Sequence, residues 1–191
     1  GLAVVRRSLS GKPIWQADRG HMHHRLLERG MSTWQSMALV GGLCLATGRL
    51  DEGATILRSF ARFVRDGLLP NDFPDAADAV PEYHTIDASL WYPLAVHAHR
   101  TATGGAELLD ELLPTLRTIL DAHIAGTRFG IGMDPADGLL RGGAEGYQLT
   151  WMDARLDDWV VTPRRGKPVE IQALWVNALR IVGRRLIEIG D

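Results

Sequence analysis

From Trp34 onward, apolar residues recur along the chain at the spacing of amphipathic helices. This pattern predicts helices over about residues 34–47, 50–66, 85–103, 106–125 and 169–189. Gly48 and Gly67 follow the first two helices, and glycine favours the left-handed conformation in which helices commonly end. Pro114 lies inside the fourth helix and is a candidate for a kink. The chain is therefore predicted to be mainly helical.

The segments between the helices alternate between short turns and long loops. Residues 69–83 contain three prolines and several aspartates, which predicts a long irregular loop of the kind that often carries function. Residues 129–133 and 139–141 flank a turn sequence and predict one small β-hairpin. A polar loop follows over residues 142–167. This alternation favours an all-α fold of stacked helical hairpins or a helical toroid, with its long loops gathered on one face.

The composition excludes several classes of function. Of the 191 residues, 46% are hydrophobic and 23% are charged, as in ordinary globular domains. The net charge is -2 and the basic residues are scattered, so we expect no nucleic acid and no membrane as partner. No stretch reaches the roughly 20 apolar residues of a membrane span, and no signal peptide is visible. The single cysteine, Cys44, fits a reducing compartment, and we expect a cytoplasmic protein.

Residues 1–32 differ in character from the rest and predict a boundary near residues 31–33. Six basic residues are crowded there beside the cluster His21-Met22-His23-His24. Histidines at positions i and i+3 could share a helix face and bind a metal, but no second ligand cluster accompanies them. A solvated basic helix start is the favoured interpretation, and no metal is expected. We treat residues 1–32 as a segment of different origin rather than an independent domain, and residues 33–191 as the helical domain.

The first candidate site centres on Asp87, which stands at a loop-to-helix junction between the aromatic residues Tyr83 and Trp91. Aromatic rings around a carboxyl group exclude water and raise its pKa, as a general acid requires. In the alternative interpretation, Thr85 is the helix N-cap and Asp87 complements the helix dipole. Spacing alone favours this structural alternative.

The second and third candidate sites also combine carboxylates with other polar or aromatic groups. Trp151 and Asp153 lie close together and are followed by Asp157-Asp158-Trp159. An indole can stack on a pyranose ring while carboxylates accept hydrogen bonds from its hydroxyls, although a tryptophan-anchored loop with solvated acids fits equally well. Glu170 follows a basic turn at the start of the last helix. From its position alone, Glu170 would only complement the helix dipole.

Six segments, in their order along the chain, resemble the glucosidase domain of bacterial and archaeal glycogen debranching enzymes, the amylo-alpha-1,6-glucosidase family. The resemblance extends over about residues 36–189. Any one segment is weak, but the ordered set is specific. The segments cover residues 45–49, 60–71, 82–91, 133–135, 148–154 and 169–175.

The resemblance implies part of an (α/α)6 toroid that acts on glycogen or another branched α-glucan without a cofactor. The implied reaction is inverting hydrolysis of α-1,6-linked glucose, with acid and base carboxyls roughly 6.5–9.5 Å apart. Asp87 matches the general acid of the family. The expected substrate-binding residues are Tyr83, Trp91, Trp151, Asp153 and Glu170.

The chain departs from the family pattern in three places. The family has a tryptophan-glycine-arginine-aspartate-threonine run where this chain reads Thr33-Trp34-Gln35-Ser36-Met37, and His84 replaces an asparagine. The catalytic base of the family lies in a segment beyond residue 191. We therefore expect the chain to be inactive alone and to self-associate through exposed apolar helix faces. A non-catalytic glucan-binding or structural helical domain is the alternative.

Residues 11–30 are similar to a cytosolic loop of the polyprenyl-phosphate sugar-1-phosphate transferases. Those are membrane enzymes, and the histidine-rich motif of this loop belongs to their active site. The sequence has none of their membrane helices or magnesium-binding aspartates. A fragment of a membrane phosphoglycosyl transferase is accordingly a further hypothesis, which rests on this segment alone.

Overall fold

The computed structural model describes residues 42, 44, 46–71, 81–152, 155–156 and 159–191. These residues form a mainly helical structure with two short antiparallel β-ribbons. The helices are α1 (Leu50–Ala61), α2 (Asp87–Thr103), α3 (Glu107–Ala125) and α4 (Val169–Ile189). The strands are β1 (Gly132–Met133), β2 (Leu140–Arg141), β3 (Arg155–Leu156) and β4 (Trp159–Val160).

Several predictions concern residues outside the described ranges. The basic segment over residues 1–32 lies outside them, as do the boundary near residue 33 and the candidate histidine cluster. Of the first predicted helix, Gly42, Cys44, Ala46 and Thr47 are described; the first three have helical backbone, and Thr47 lies in a turn. Residues 72–80 of the long loop and Asp153 of the second candidate site also lie outside.

The four described helices follow the predicted order, and α4 has the predicted bounds. Helix α1 is shorter than predicted, because it ends at Ala61 instead of near Asp66. Asp66 and Gly67 then adopt positive φ angles of 52° and 73° in a tight turn. A Cβ at Gly67 would lie 2.2 Å from the Cβ of Ala122 on α3, so the turn brings bare backbone against that helix.

Each helix buries one apolar stripe in a common core. Helix α2 makes its most extensive contacts with α4 and also packs on α1 and α3. On α3, the fully buried Leu109, Leu116 and Ile119 recur at helical spacing, and α3 continues through Pro114. Each such side chain stabilises the fold by roughly 1.5–3 kcal/mol relative to exposure. No helix within the described ranges has the length and apolar character needed to cross a membrane.

The described part of the chain forms two β-ribbons where the sequence predicted one. The predicted hairpin is present as β1 and β2, with Met133 paired to Leu140. Its first strand is shorter than predicted, because residues 128–130 form a 3₁₀ turn in which Phe129 has a φ of 59°. The second ribbon pairs β3 with β4 and lies inside the segment over residues 142–167 that was predicted to be a polar loop.

Side chains of α4 and of the segment before it hold the first ribbon in place. The amide oxygen of Gln172 accepts from the Leu140 N–H at 2.8 Å, and its amide nitrogen donates to the Leu140 carbonyl at 2.8 Å. The indole N–H of Trp175 donates to the Gly138 carbonyl at 3.1 Å. Lys167 contacts two turn carboxylates, one of them Asp134, each at 2.7 Å. These contacts fix the start of α4, where Glu170 lies.

Candidate functional site

Asp87 is the first residue of α2, and its side chain is buried, with 2% exposure. The N-cap of α2 is Ile86, and no side chain caps this helix end by a hydrogen bond. The Thr85 hydroxyl instead donates to Oδ1 of Asp87. The alternative interpretation of Thr85 as the N-cap is therefore wrong, because α2 has Ile86 as its N-cap and the Thr85 hydroxyl donates to the Asp87 carboxyl instead.

Burial raises the pKa of Asp87, because a desolvated carboxylate loses its hydration. The hydrogen bond from the Thr85 hydroxyl and the nearby backbone amides of Ala88 and Trp151 act in the opposite direction and lower the pKa, but burial dominates. Oδ2 has no hydrogen-bond partner among the described residues. A carboxyl group with one fixed oxygen, one unpaired oxygen and a raised pKa has the properties of a proton donor.

The loop before the second ribbon brings Trp151 to Asp87. The Ile86 N–H donates to the Leu149 carbonyl at 2.8 Å, and the side chains of Leu149 and Thr150 are buried. This anchorage brings the Trp151 backbone amide close enough to the Asp87 carboxyl to lower its pKa, while the Trp151 indole remains 47% exposed. The structure thus joins the first two candidate sites, which are about 60 residues apart in sequence.

Glu170 lies in the first turn of α4 and forms an ion pair with Arg164. Arg164 Nη2 donates to Glu170 Oε2 at 2.5 Å, and Arg164 Nη1 lies 3.3 Å from Sδ of Met152. Arg164 therefore connects the loop that carries Trp151 to the helix that carries Glu170. The sequence showed a basic turn at this position, but it did not identify Arg164 as a member of the site.

Tyr83 is buried, with 6% exposure. Its hydroxyl donates to the Phe63 carbonyl at 2.9 Å. The guanidinium groups of Arg65 and Arg128 lie 5.9 and 5.8 Å from the centre of its ring. Next to it, the His84 ring lies 5.8 Å from the ring of the half-exposed Tyr147. Tyr83 is thus held by one hydrogen bond and two arginine contacts.

Trp91 lies one turn after Asp87 on α2, but it contributes to a different surface. It lines a cavity of about 1030 Å³ between α1, α2 and α4, together with Phe60, Arg100 and Arg184. Asp87, Trp151 and Glu170 do not line this cavity. Among the predicted site residues, the structure connects Asp87, Trp151 and Glu170 through the contacts described above, while Trp91 lines the cavity between α1, α2 and α4.

Within the described ranges, no group of three or more histidine, cysteine, aspartate or glutamate side chains could hold a metal ion. The connected cluster instead combines a buried carboxyl group, an exposed indole and a carboxylate held by arginine. This combination can donate a proton, stack on an apolar ring face and accept hydrogen bonds from hydroxyl groups.

Comparisons with known proteins agree on one family. A family model described as amylo-alpha-1,6-glucosidase matches residues 20–188. The glycogen debranching enzyme of Saccharomyces cerevisiae (strain ATCC 204508 / S288c) is 26% identical over 195 residues. That alignment covers 74% of this chain but only 13% of the yeast protein, so the chain matches a small part of this relative. The family match begins at residue 20, inside the basic segment over residues 1–32.

Proposed function

Because the chain belongs to the amylo-alpha-1,6-glucosidase family, we propose that Asp87 is the general acid of a site that hydrolyses α-1,6-linked glucose on a branched α-glucan. The observation that carries this proposal is the buried Asp87 carboxyl, whose raised pKa and unpaired Oδ2 suit proton donation. The yeast relative bears the name glycogen debranching enzyme, which supports glycogen as the substrate class.

The proposed reaction inverts the configuration at the sugar carbon. Asp87 donates its proton to the glycosidic oxygen as the bond from this oxygen to the anomeric carbon breaks. A water molecule attacks the anomeric carbon from the opposite face, and a second carboxylate takes the proton of this water. The Thr85 hydroxyl holds Oδ1, so we assign the transferred proton to Oδ2. We expect the second carboxylate from a segment that is not among these 191 residues.

The other members of the cluster hold the sugar in this proposal. The exposed indole of Trp151 stacks on the glucose ring, and Glu170 accepts hydrogen bonds from its hydroxyls. Arg164 fixes the Glu170 carboxylate through its guanidinium group, which reduces the entropy lost when glucose binds. We also assign Asp153 to this pocket, on the strength of its family motif.

We further propose that the described helices are part of a six-hairpin toroid. In this arrangement α2 and α4 belong to the inner ring, while α1 and α3 belong to the outer ring. The extensive packing of α2 on α4 supports this proposal. The loops before α2 and α4 then meet at one end of the toroid, where Asp87 and Glu170 are connected through the loop of Trp151.

A non-catalytic glucan-binding domain is the second candidate function. It is favoured by the sequence Thr33-Trp34-Gln35-Ser36-Met37, because the aspartate that the family has in this run, and that would bind glucose, is absent here. Such a domain would bind glycogen and release no glucose. The two candidates share the fold and the sugar pocket, and they differ in whether Asp87 transfers a proton.

Azide can separate these candidates, because this small anion can replace the water and the base that activates it. The purified chain is incubated with a branched limit dextrin and sodium azide, and the product is followed by mass spectrometry. If Asp87 transfers a proton, β-glucosyl azide should form only in the presence of azide, and its rate of formation should fall by about 10²–10⁴-fold in Asp87→Asn. Asp121→Asn, which alters an exposed carboxylate on α3, should keep the wild-type rate. Equal rates for Asp87→Asn and wild type would overturn the proposal, whereas glycogen binding without any product would favour the binding domain.

A further inference from the structure

The loop that carries Trp151 continues as the second β-ribbon, which exposes two large apolar side chains. Leu156 and Trp159 are each 62% exposed, and they are paired directly across the two strands. Directly paired residues of antiparallel strands project from the same face. Leu156 and Trp159 therefore form one apolar surface, called the ribbon face below.

Both ends of this loop are tied to the candidate site. On the incoming side, the Ile86 N–H, next to Asp87, donates to the carbonyl of Leu149 at 2.8 Å, two residues before Trp151. On the outgoing side, Arg164 contacts Met152 and forms the ion pair with Glu170. Arg164 thus joins the segment before the ribbon to the segment after it. The ribbon face therefore belongs to the same loop as Trp151 of the candidate sugar pocket.

The length of the chain limits how far the ribbon face can lie from the pocket. Leu156 is five positions after Trp151, so their Cα atoms are at most about 18 Å apart. The Cα atom of Trp159 lies about 5.5 Å or less from that of Leu156, as in any direct antiparallel pair. The ribbon face is therefore within about 24 Å of Trp151, a distance that a short oligosaccharide can span.

We propose that the ribbon face binds the α-glucan chain that leads away from Asp87, with the Trp159 indole stacked on a glucose ring. A tryptophan exposed to this degree gains stability when an apolar ring face covers it, and pyranose rings offer such a face beside their hydroxyls. The proposal rests on the proposed function, because it takes the ligand at Asp87 to be a sugar. The ribbon would then select longer glucan chains over free glucose.

The test measures the binding of maltoheptaose and of glucose to the full chain by titration calorimetry. Trp159→Ala should weaken maltoheptaose binding at least about fivefold and leave glucose binding unchanged, while Trp159→Phe should retain most of the affinity. Ile187→Ala serves as the control, because Ile187 is 79% exposed on the last turns of α4. It should bind both sugars like the wild type, and all variants should keep the wild-type melting temperature.

The two sugars separate failure of this proposal from failure of the proposed function. If the wild type binds glucose but Trp159→Ala binds maltoheptaose as tightly as the wild type, the ribbon proposal is wrong and the glucose pocket stands. If the wild type binds neither sugar, both proposals are wrong. If sedimentation shows that Trp159→Ala only dissociates a dimer, without a change in maltoheptaose affinity, the ribbon face is a contact between copies and the proposal is overturned.

Discussion

Replacing Gln172 by leucine tests whether the hydrogen bonds between α4 and the first β-ribbon stabilise the fold around the start of α4, where Glu170 lies. The side chain of Gln172 makes two hydrogen bonds of 2.8 Å with the backbone of Leu140, and Leu140 is fully buried. A neutral hydrogen bond contributes about 0.5–1.5 kcal/mol net, while each buried group left unpaired costs about 1–3 kcal/mol. Because relaxation restores part of this loss, we expect a destabilisation of about 2–4 kcal/mol.

The assay is urea unfolding followed by circular dichroism, with thermal melting as a second measurement. The transition midpoint should fall at unchanged slope, which indicates lower stability without a change in the surface exposed on unfolding. For a domain of this size, the expected loss lowers the melting temperature by roughly 4–16 °C. Asn177→Leu places the same side chain at an exposed position of α4 and should change stability by no more than about 0.5 kcal/mol. A Gln172→Leu protein as stable as this control would refute the reasoning.

Three further predictions concern buried groups. Burial lowers the pKa of His123 below its ordinary value of 6.5, so stability should fall as the pH drops below 6.5. His123→Phe should flatten this dependence in urea titrations, because phenylalanine does not titrate and can keep the stacking on Trp175. Burial raises the pKa of Asp87 above its ordinary value of 3.8, so stability should fall as the pH rises from 3.8 through the raised pKa; Asp87→Asn should remove this slope, and an unchanged slope would contradict the assignment. Gly67→Ala should lower the free energy of unfolding by more than about 1 kcal/mol in the same assay, because the positive φ and the closeness of Ala122 both oppose a side chain there. A Gly67→Ala protein with wild-type stability would contradict this close approach.

Local sequence signals were sufficient for the elements whose ends depend on local chemistry. Helix α4 follows Pro168, which suits the start of a helix, and ends before Gly190, which has a φ of 79°. The predicted bounds of α4 are confirmed for this reason. The end of α1 was predicted wrongly, because Phe63 and Val64 continue its apolar pattern, whereas the chain turns earlier to bring Gly67 against α3.

The candidate site depended on contacts between residues that are distant in sequence. Spacing could not decide the role of Asp87, because its environment is set by the Thr85 hydroxyl and by a loop some 60 residues later. The second ribbon was missed because strands of two residues are too short to show an alternating pattern. Arg164 stands in a turn with several basic residues, and only the folded chain shows its ion pair with Glu170.

The central claim, that Asp87 donates a proton to the leaving oxygen, is tested most directly by comparing substrates that differ in their need for that proton. In the presence of azide, α-glucosyl fluoride and isomaltose are given to the wild-type chain and to Asp87→Asn, and the rate of β-glucosyl azide formation is measured. Fluoride leaves with little help from an acid, whereas the sugar oxygen of isomaltose must be protonated. If Asp87 donates this proton, Asp87→Asn loses about 10²–10⁴-fold in rate with isomaltose and far less with the fluoride. Equal losses with both substrates, or none with isomaltose, would contradict it.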